Sequence, residues 1–205
     1  MGWHVKNKRK FQWRKTRDPY SILLAEIMLQ RTKAEQVDRI YKKFFEKYPS
    51  VNEIAKATIS SLQEDLKSLG LLKRAKYIKS LAKDLKTKFG GKIPEQANEL
   101  LSLPMVGKYT ANAVRCFAFS EDCEIVDSNV IRIIGRYYGF HDKSRKKMIG
   151  MVRNKVLQLI PHKKSQEFNW ALLDLAALVC LPQQPKCKIC PLRNHCAFSV
   201  SNVRN

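Results

Sequence analysis

From Pro19 to Cys180 the apolar residues of this chain recur at spacings of three and four, and no stretch of useful length alternates apolar with polar. Such a period gathers apolar side chains on one stripe of a helix and argues against a half-buried sheet. In AEQVDRIYKKFFEKY, for example, Val37, Ile40, Tyr41, Phe44 and Phe45 share a face. Glycines that can cap a helix follow at Gly70 and at Gly90–Gly91, and Asp127, Ser128 and Asn129 offer N-cap side chains before VIRIIGRYYG. The 205 residues suffice for one core or two small lobes. With no low-complexity segment and no long linker, the pattern predicts a compact all-α protein of about ten helices.

Lysine and arginine number 39 against 18 acidic residues, a formal net charge of +21. Self-repulsion of that size opposes compaction unless a polyanion is the working partner, which points to nucleic acid. The basic residues are spread along the chain, and no apolar run approaches the roughly 18 residues of a membrane helix, so no membrane association is expected. MGWHVKNKRKFQWRK lacks the apolar centre of a secretion signal. A reducing, cytoplasmic setting is expected, in which the six cysteines would not form disulfides.

Four of those cysteines stand near the end as C-x6-C-x2-C-x5-C: Cys180, Cys187, Cys190 and Cys196. Thiolates so densely spaced in a reducing setting mark a metal site, and the polar, Pro-containing tail that carries them is too short to fold without a cross-link. One zinc ion or an iron–sulfur cluster would each take four sulfurs. Zinc ribbons normally present two close C-x2-C pairs and only one is present, so spacing favours the cluster and leaves zinc open. Cys116, inside AVRCFAF, reads as a small buried hydrophobe.

A second motif is LLSLPMVGKYTANAV, residues 100–114. One helix ends near Leu103, and Pro104 restricts the chain there. Gly107 admits a close backbone approach or a positive φ, and a second helix starts at about Lys108. The N–H groups at such a helix start attract a phosphate, and Lys108 adds a positive charge. The turn predicts a helix–hairpin–helix that grips a nucleic-acid backbone without reading bases, although ordinary helix corners use the same turn residues.

In order, Leu100–Val114, IVDSNVIRII and the four-cysteine tail resemble the helix–hairpin–helix DNA glycosylases of the endonuclease III and MutY superfamily. The resemblance runs from WRKTRDPYSILLAEIMLQRT to Cys196, and within the superfamily it is strongest to the thymine–DNA mismatch glycosylases of the archaeal Mig type. It implies a two-lobed all-α fold with a DNA cleft between the lobes. Residues 22–131 would form a six-helix lobe with the hairpin. Residues 1–21 and 132–205 would form the other lobe, with a [4Fe–4S] cluster held by all four cysteines of the loop 180–196. One position departs from the family: the hairpin usually reads L-P-G-V-G, and Met105 replaces its first glycine. Methionine at φ > 0 there would cost about 1–2 kcal/mol.

The same resemblance implies the site. Cleaving a base from deoxyribose builds positive charge on the sugar and negative charge on the departing base, and a carboxylate beside the sugar stabilises the cation. Asp127 matches the catalytic aspartate of the family, a role compatible with capping the following helix, whose dipole favours the ionised form. Tyr109 stands where bifunctional members carry the lysine whose amine attacks the sugar. A phenol forms no Schiff base, and Lys108 lies one position away, about 100° around the helix. Tyr109 is therefore expected to pack against the extrahelical nucleotide. Glu26, inside the apolar run SILLAEIMLQ, matches a glutamate of the adenine and thymine enzymes. Partial desolvation would raise its pKa and let it protonate the leaving base, while a plain salt bridge would also explain it. Gln30 and Leu72 match residues that wedge into the duplex when a nucleotide flips. Gly107 and Lys108, with Lys186, Lys188 and Arg193 around the cysteines, are expected phosphate contacts.

The expected activity is that of a monofunctional DNA N-glycosylase, a monomer that removes thymine, and uracil, opposite guanine in double-stranded DNA and leaves an abasic site. A prokaryotic or archaeal cytoplasm is the expected setting. Adenine removal opposite guanine or oxidised guanine is the alternative enzymatic reading; adenine members normally carry a further C-terminal domain, and nothing after Cys196 suggests one. A non-catalytic iron–sulfur DNA-binding protein is the alternative from another class, and the set Glu26, Tyr109 and Asp127 argues against it.

Overall fold

The computed structural model describes residues 1–70 and 72–203. Among the described residues there are twelve α-helices, a few short 3-10 turns and no strand. In chain order the helices are α1 (Gly2–Asn7), α2 (Pro19–Leu29), α3 (Ala34–Lys47), α4 (Val51–Lys56), α5 (Ile59–Leu66) and α6 (Arg74–Phe89). There follow α7 (Ala97–Leu101), α8 (Lys108–Phe117), α9 (Ser128–Tyr138), α10 (Arg145–Leu159), α11 (Ser165–Leu178) and α12 (Ala197–Val203). Gly70 and Gly90 adopt left-handed backbone, φ 67 and 60, and stop the chain where the sequence suggested. The helices α1 and α4, six residues each, are too short to show a period. No described helix is long and apolar enough to cross a membrane.

The chain packs as two units, one of them Lys10–Phe119 with α2 to α8. α2 is apolar on nearly every side and buried from Tyr20 to Met28 except at Ser21, as suits a central helix. α8 packs on α2, and α6 packs on α4 and α5. Phe11 and Trp13 stack with ring centroids 4.6 Å apart, and the Gln12 N–H donates to Asp38 of α3 at 2.9 Å, which ties the segment before α2 into this unit.

The second unit joins Met1–Arg9 to the chain from Ser120 onward. Val130, Ile133 and Ile134 of α9 share its core with Val152 and Val156 of α10 and Leu172, Leu175 and Ala176 of α11. The division thus falls after Arg9 and Phe119, not at 22 and 131, and side-chain bonds explain both shifts. Asp174 of α11, fully buried, pairs with His4 Nε2 at 3.1 Å and accepts from the Arg9 N–H and Nε at 3.0 and 2.9 Å. That draws the first nine residues onto α11. Asn169 of α11 donates to the Cys123 carbonyl at 2.9 Å and accepts from the Ile125 N–H at 3.2 Å. That draws in the segment ahead of α9.

Candidate active site

In the Lys10–Phe119 unit, the expected residues gather where α2 ends beside the start of α8. Asp18 caps α2 by accepting from the Ser21 N–H at 2.9 Å, and Pro19 opens its first turn. Glu26 lies on the same helix, 4% exposed, with Leu23 and Ile27 fully buried around it. A carboxyl group in such surroundings calls for a specific reason. Gln30 ends α2, and its Nε2 donates to the Met105 carbonyl at 3.1 Å and to Thr110 Oγ1 at 3.4 Å. The side chain expected to wedge into a duplex is therefore tied to the hairpin. Arg31, exposed just beyond α2, has a left-handed backbone at φ 58 and was not singled out by sequence reasoning.

The hairpin joins α7 to α8. Leu103 and Val106 turn inward and are buried, and the Val106 N–H donates to the Leu103 carbonyl at 3.2 Å. Gly107, the N-cap of α8, has φ −93 and ψ 178, an extended backbone open to any residue. An added Cβ there meets nothing within 4 Å, so what glycine leaves is an open approach to the first turn of α8. Lys108 is exposed on that turn and Tyr109 is half-buried.

The positive φ lies at Met105, φ 64, where the sequence departs from the usual glycine. The Gln30 amide holds the carbonyl of this strained residue. Met105→Gly removes about 1–2 kcal/mol of left-handed strain and adds about 0.5–1 kcal/mol of unfolded-chain entropy. The net expectation is a gain of about 0.5–1 kcal/mol in a urea melt. A loss of stability on this substitution would show that the Met105 side chain packs more strongly than its backbone is strained.

In the second unit Asp127 caps α9. Its Oδ1 accepts from the N–H groups of Asn129 and Val130, both at 2.8 Å, and its Oδ2 accepts from Asn129 Nδ2 at 2.6 Å. Asp127 is half-buried, so it is held but reachable. The Asn129 amide oxygen accepts from Arg132 at 2.9 Å, and Arg132 also donates to the carbonyls of Ala176 and Cys180 at 3.2 and 2.9 Å. One turn on, Arg136 donates to the carbonyls of Leu181 and Pro182 at 2.7 and 2.8 Å and reaches Cys180 Sγ at 3.5 Å. Arg132 and Arg136, missed in the sequence, join Asn129, one of the N-cap candidates, in making one face of α9 a bracket between the aspartate cap and the first cysteine. The only trace of the two arginines in the sequence is their spacing, three residues after Asn129 and four further on.

Cys180, Cys187, Cys190 and Cys196 line one cavity, with Ile133, Leu175, Val179 and Leu192 on its apolar side. Burial, then the thiols of Cys196 and Cys180, push the Cys187 pKa up against the opposing charge of Arg136. Burial also raises that of Cys190, with the other three thiols adding to it and a backbone hydrogen bond at Leu192 opposing it. Thiols turned to one space resist ionising together, and a cationic centre among them removes that resistance. Among the described residues no three His, Cys, Asp or Glu are gathered closely enough to hold a single ion. Lys186, Lys188 and Arg193 are exposed on this loop, and Arg193 also donates to the Lys188 carbonyl at 3.0 Å. Cys116 is buried as expected.

The chain and its helical fold have close counterparts among known proteins. The family described as HhH-GPD superfamily base excision DNA repair protein matches residues 24–159. The thymine/uracil-DNA glycosylase of Methanothermobacter thermautotrophicus is 39% identical over 197 residues, 96% of this chain and 89% of that protein. An adenine DNA glycosylase of Buchnera aphidicola is 34% identical over 204 residues, 98% of this chain but 58% of that protein. Among solved structures, a thermostable thymine-DNA glycosylase has a TM-score of 0.92 at 38% identity, over 98% of this chain and 93% of that one. A non-covalent endonuclease III–DNA complex has a TM-score of 0.86 at 26% identity, over 100% of this chain and 94% of that one. With a family match over most of its length and a 39%-identical relative aligned over 96% of this chain, the chain belongs to the HhH-GPD superfamily of base excision DNA repair proteins.

Proposed function

We propose that the protein is a DNA N-glycosylase, acting as a monomer on duplex DNA, that removes thymine or uracil paired with guanine and leaves the strand uncut. The carboxylate of Asp127, locked by two backbone N–H groups and an amide yet reachable, carries the reading. The likeness to the thymine/uracil-DNA glycosylase supports the choice of base. As the bond from the sugar C1′ to the base lengthens, the electron pair leaves with the base and positive charge grows on the sugar. A carboxylate that is already oriented stabilises that charge without reorganising, and it directs a water to C1′. Burial favours the neutral, proton-carrying form of a carboxyl group, which suits Glu26 to protonate the departing base. Tyr109 lines the base pocket. Gly107, Lys108, Lys186, Lys188 and Arg193 meet phosphates, Gln30 fills the space left by the flipped nucleotide, and Leu72 wedges into the neighbouring stack. For that, Gln30 gives up its bonds to Met105 and Thr110.

The donor set fits a [4Fe–4S] cluster: four cysteines line one cavity, and a single close pair with wider gaps on either side suits a cube of iron and sulfur better than one zinc ion. Cys180, Cys187, Cys190 and Cys196 would hold it, and when bound it cross-links the loop that carries Lys186, Lys188 and Arg193.

The test is a panel of duplexes bearing T·G, U·G, A·G and A·oxidised-guanine pairs, assayed for released base. Thymine and uracil are expected from the first two, and release of adenine alone would overturn the choice of base. Strands are expected to stay intact until alkali or heat. Borohydride is expected to trap little protein on DNA, since position 109 offers no amine. Strong trapping by the unmodified protein would show it to be a lyase as well.

A further inference from the structure

The start of α6 exposes side chains that the packing of its unit does not use. Between Gly70 and Lys83 the sequence has five basic residues and no acidic one. α6 turns Ala75, Ile78, Leu81, Ala82 and Leu85 inward, which leaves Lys73, Lys76 and Tyr77 outside. Tyr77 is 55% exposed, and Leu72, just ahead of the helix, is 45% exposed.

Isolated apolar residues on a surface need no explanation, but these two are held outward on a fixed backbone. Gln63 of α5 donates to the Leu72 carbonyl at 3.3 Å, and Arg74 donates to the Ile27 carbonyl of α2 at 3.2 Å. The second bond sets the start of α6 against the last turn of α2, at the residue next to Glu26 and within one turn of Gln30. The charge around them is also unbalanced: Arg31, Lys73, Arg74 and Lys76 have no acidic partner among the described residues. Burial, and then the charge of Arg31, push the Arg74 guanidinium below its usual range, as expected where like charges face each other. A polyanion relieves that repulsion.

We propose that Tyr77, exposed on the first turn of α6 with Lys73 and Lys76 exposed near it, is a stacking platform for a nucleotide of the bound DNA. The assignment rests on the DNA-glycosylase reading above and adds a contact to it. Flipping one nucleotide unstacks its neighbours, and an aromatic ring offers a π-face to any base without selecting among them. The two lysines neutralise the phosphates on either side.

The experiment is equilibrium binding of the full chain to a labelled duplex with one T·G mismatch at several salt concentrations, with base release followed on the same duplex. Tyr77→Ala is expected to weaken binding about tenfold with no change in salt slope, the lower end for one stacked base. Tyr77→Phe keeps the ring and is expected to bind within about twofold of the parent. Lys73→Ala and Lys76→Ala are each expected to lower the log–log salt slope by about 0.9, as one lost phosphate contact does. Thermal melts are expected to match the parent, because all three side chains are exposed. Unchanged binding by Tyr77→Ala overturns the platform, and so does a weakening that Tyr77→Phe shares. If Tyr77→Ala binds DNA normally but loses self-association in sedimentation, the face belongs to a second copy and the proposal falls. A parent that releases no base from any pair overturns the proposed function alone, since binding still reads the platform.

Discussion

Asp127→Asn is expected to slow base release from a T·G duplex at least about 100-fold, a loss of about 2.7 kcal/mol of transition-state stabilisation, with duplex binding near that of the parent. Asparagine is as good an N-cap as aspartate, so the N–H groups of Asn129 and Val130 keep an acceptor and α9 keeps its start. The charge facing the sugar is lost. The second carboxylate oxygen, which accepts from Asn129 Nδ2 at 2.6 Å, is replaced by an amino group, so two donors then face each other. Asn129 must turn away, which also disturbs its bond from Arg132. Asn129→Ala separates the two effects, since it keeps the charge and removes the facing donor. A parent-like rate for Asn129→Ala beside a slow Asp127→Asn assigns the loss to charge. A full rate for Asp127→Asn would leave Asp127 as a helix cap and nothing more.

That variant also shows where the sequence stops being informative. Helix class was legible because burial follows the period, and Gly70 and Gly90 marked stops through a conformation that few other residues adopt. Asp127 was legible because an N-cap has a preferred residue type and sits at a fixed offset from its helix. That the four cysteines line one cavity was legible by spacing, since residues that share a space must be close in the chain or carried there by a loop. Arg132 and Arg136 were not, because their acceptors are backbone carbonyls 44 to 48 residues away, which any residue type supplies. The boundary after Arg9 was hidden for a similar reason: it depends on Asp174, 165 residues on. Gln30 shows the same effect within the site. Its type suited a wedge, while its amide is bonded to the carbonyl of Met105, 75 residues away.

Cys187→Ala is expected to abolish the broad absorbance near about 400 nm that iron–sulfur charge transfer gives, and to weaken duplex binding at least about tenfold, while most of the helical signal remains. Its two 3-10 turns, Cys187–Ile189 and Arg193–His195, contain no buried residue, so on the proposed reading the bound centre is what fixes their shape, beside the packing of Cys190 and Leu192 on the core. The helices α9, α10 and α11 share an apolar core of their own and do not need it. Arg132 and Arg136 hold Cys180, Leu181 and Pro182 through backbone carbonyls, so that end of the loop stays on α9 even without metal. The disorder is then confined to the part that carries Lys186, Lys188 and Arg193, which is why binding suffers more than folding. Anaerobic metal analysis of the parent protein decides the identity of the centre: one zinc and no iron would replace the cluster by a single ion. A Cys187→Ala protein that keeps both its colour and its affinity would remove Cys187 from the ligand set.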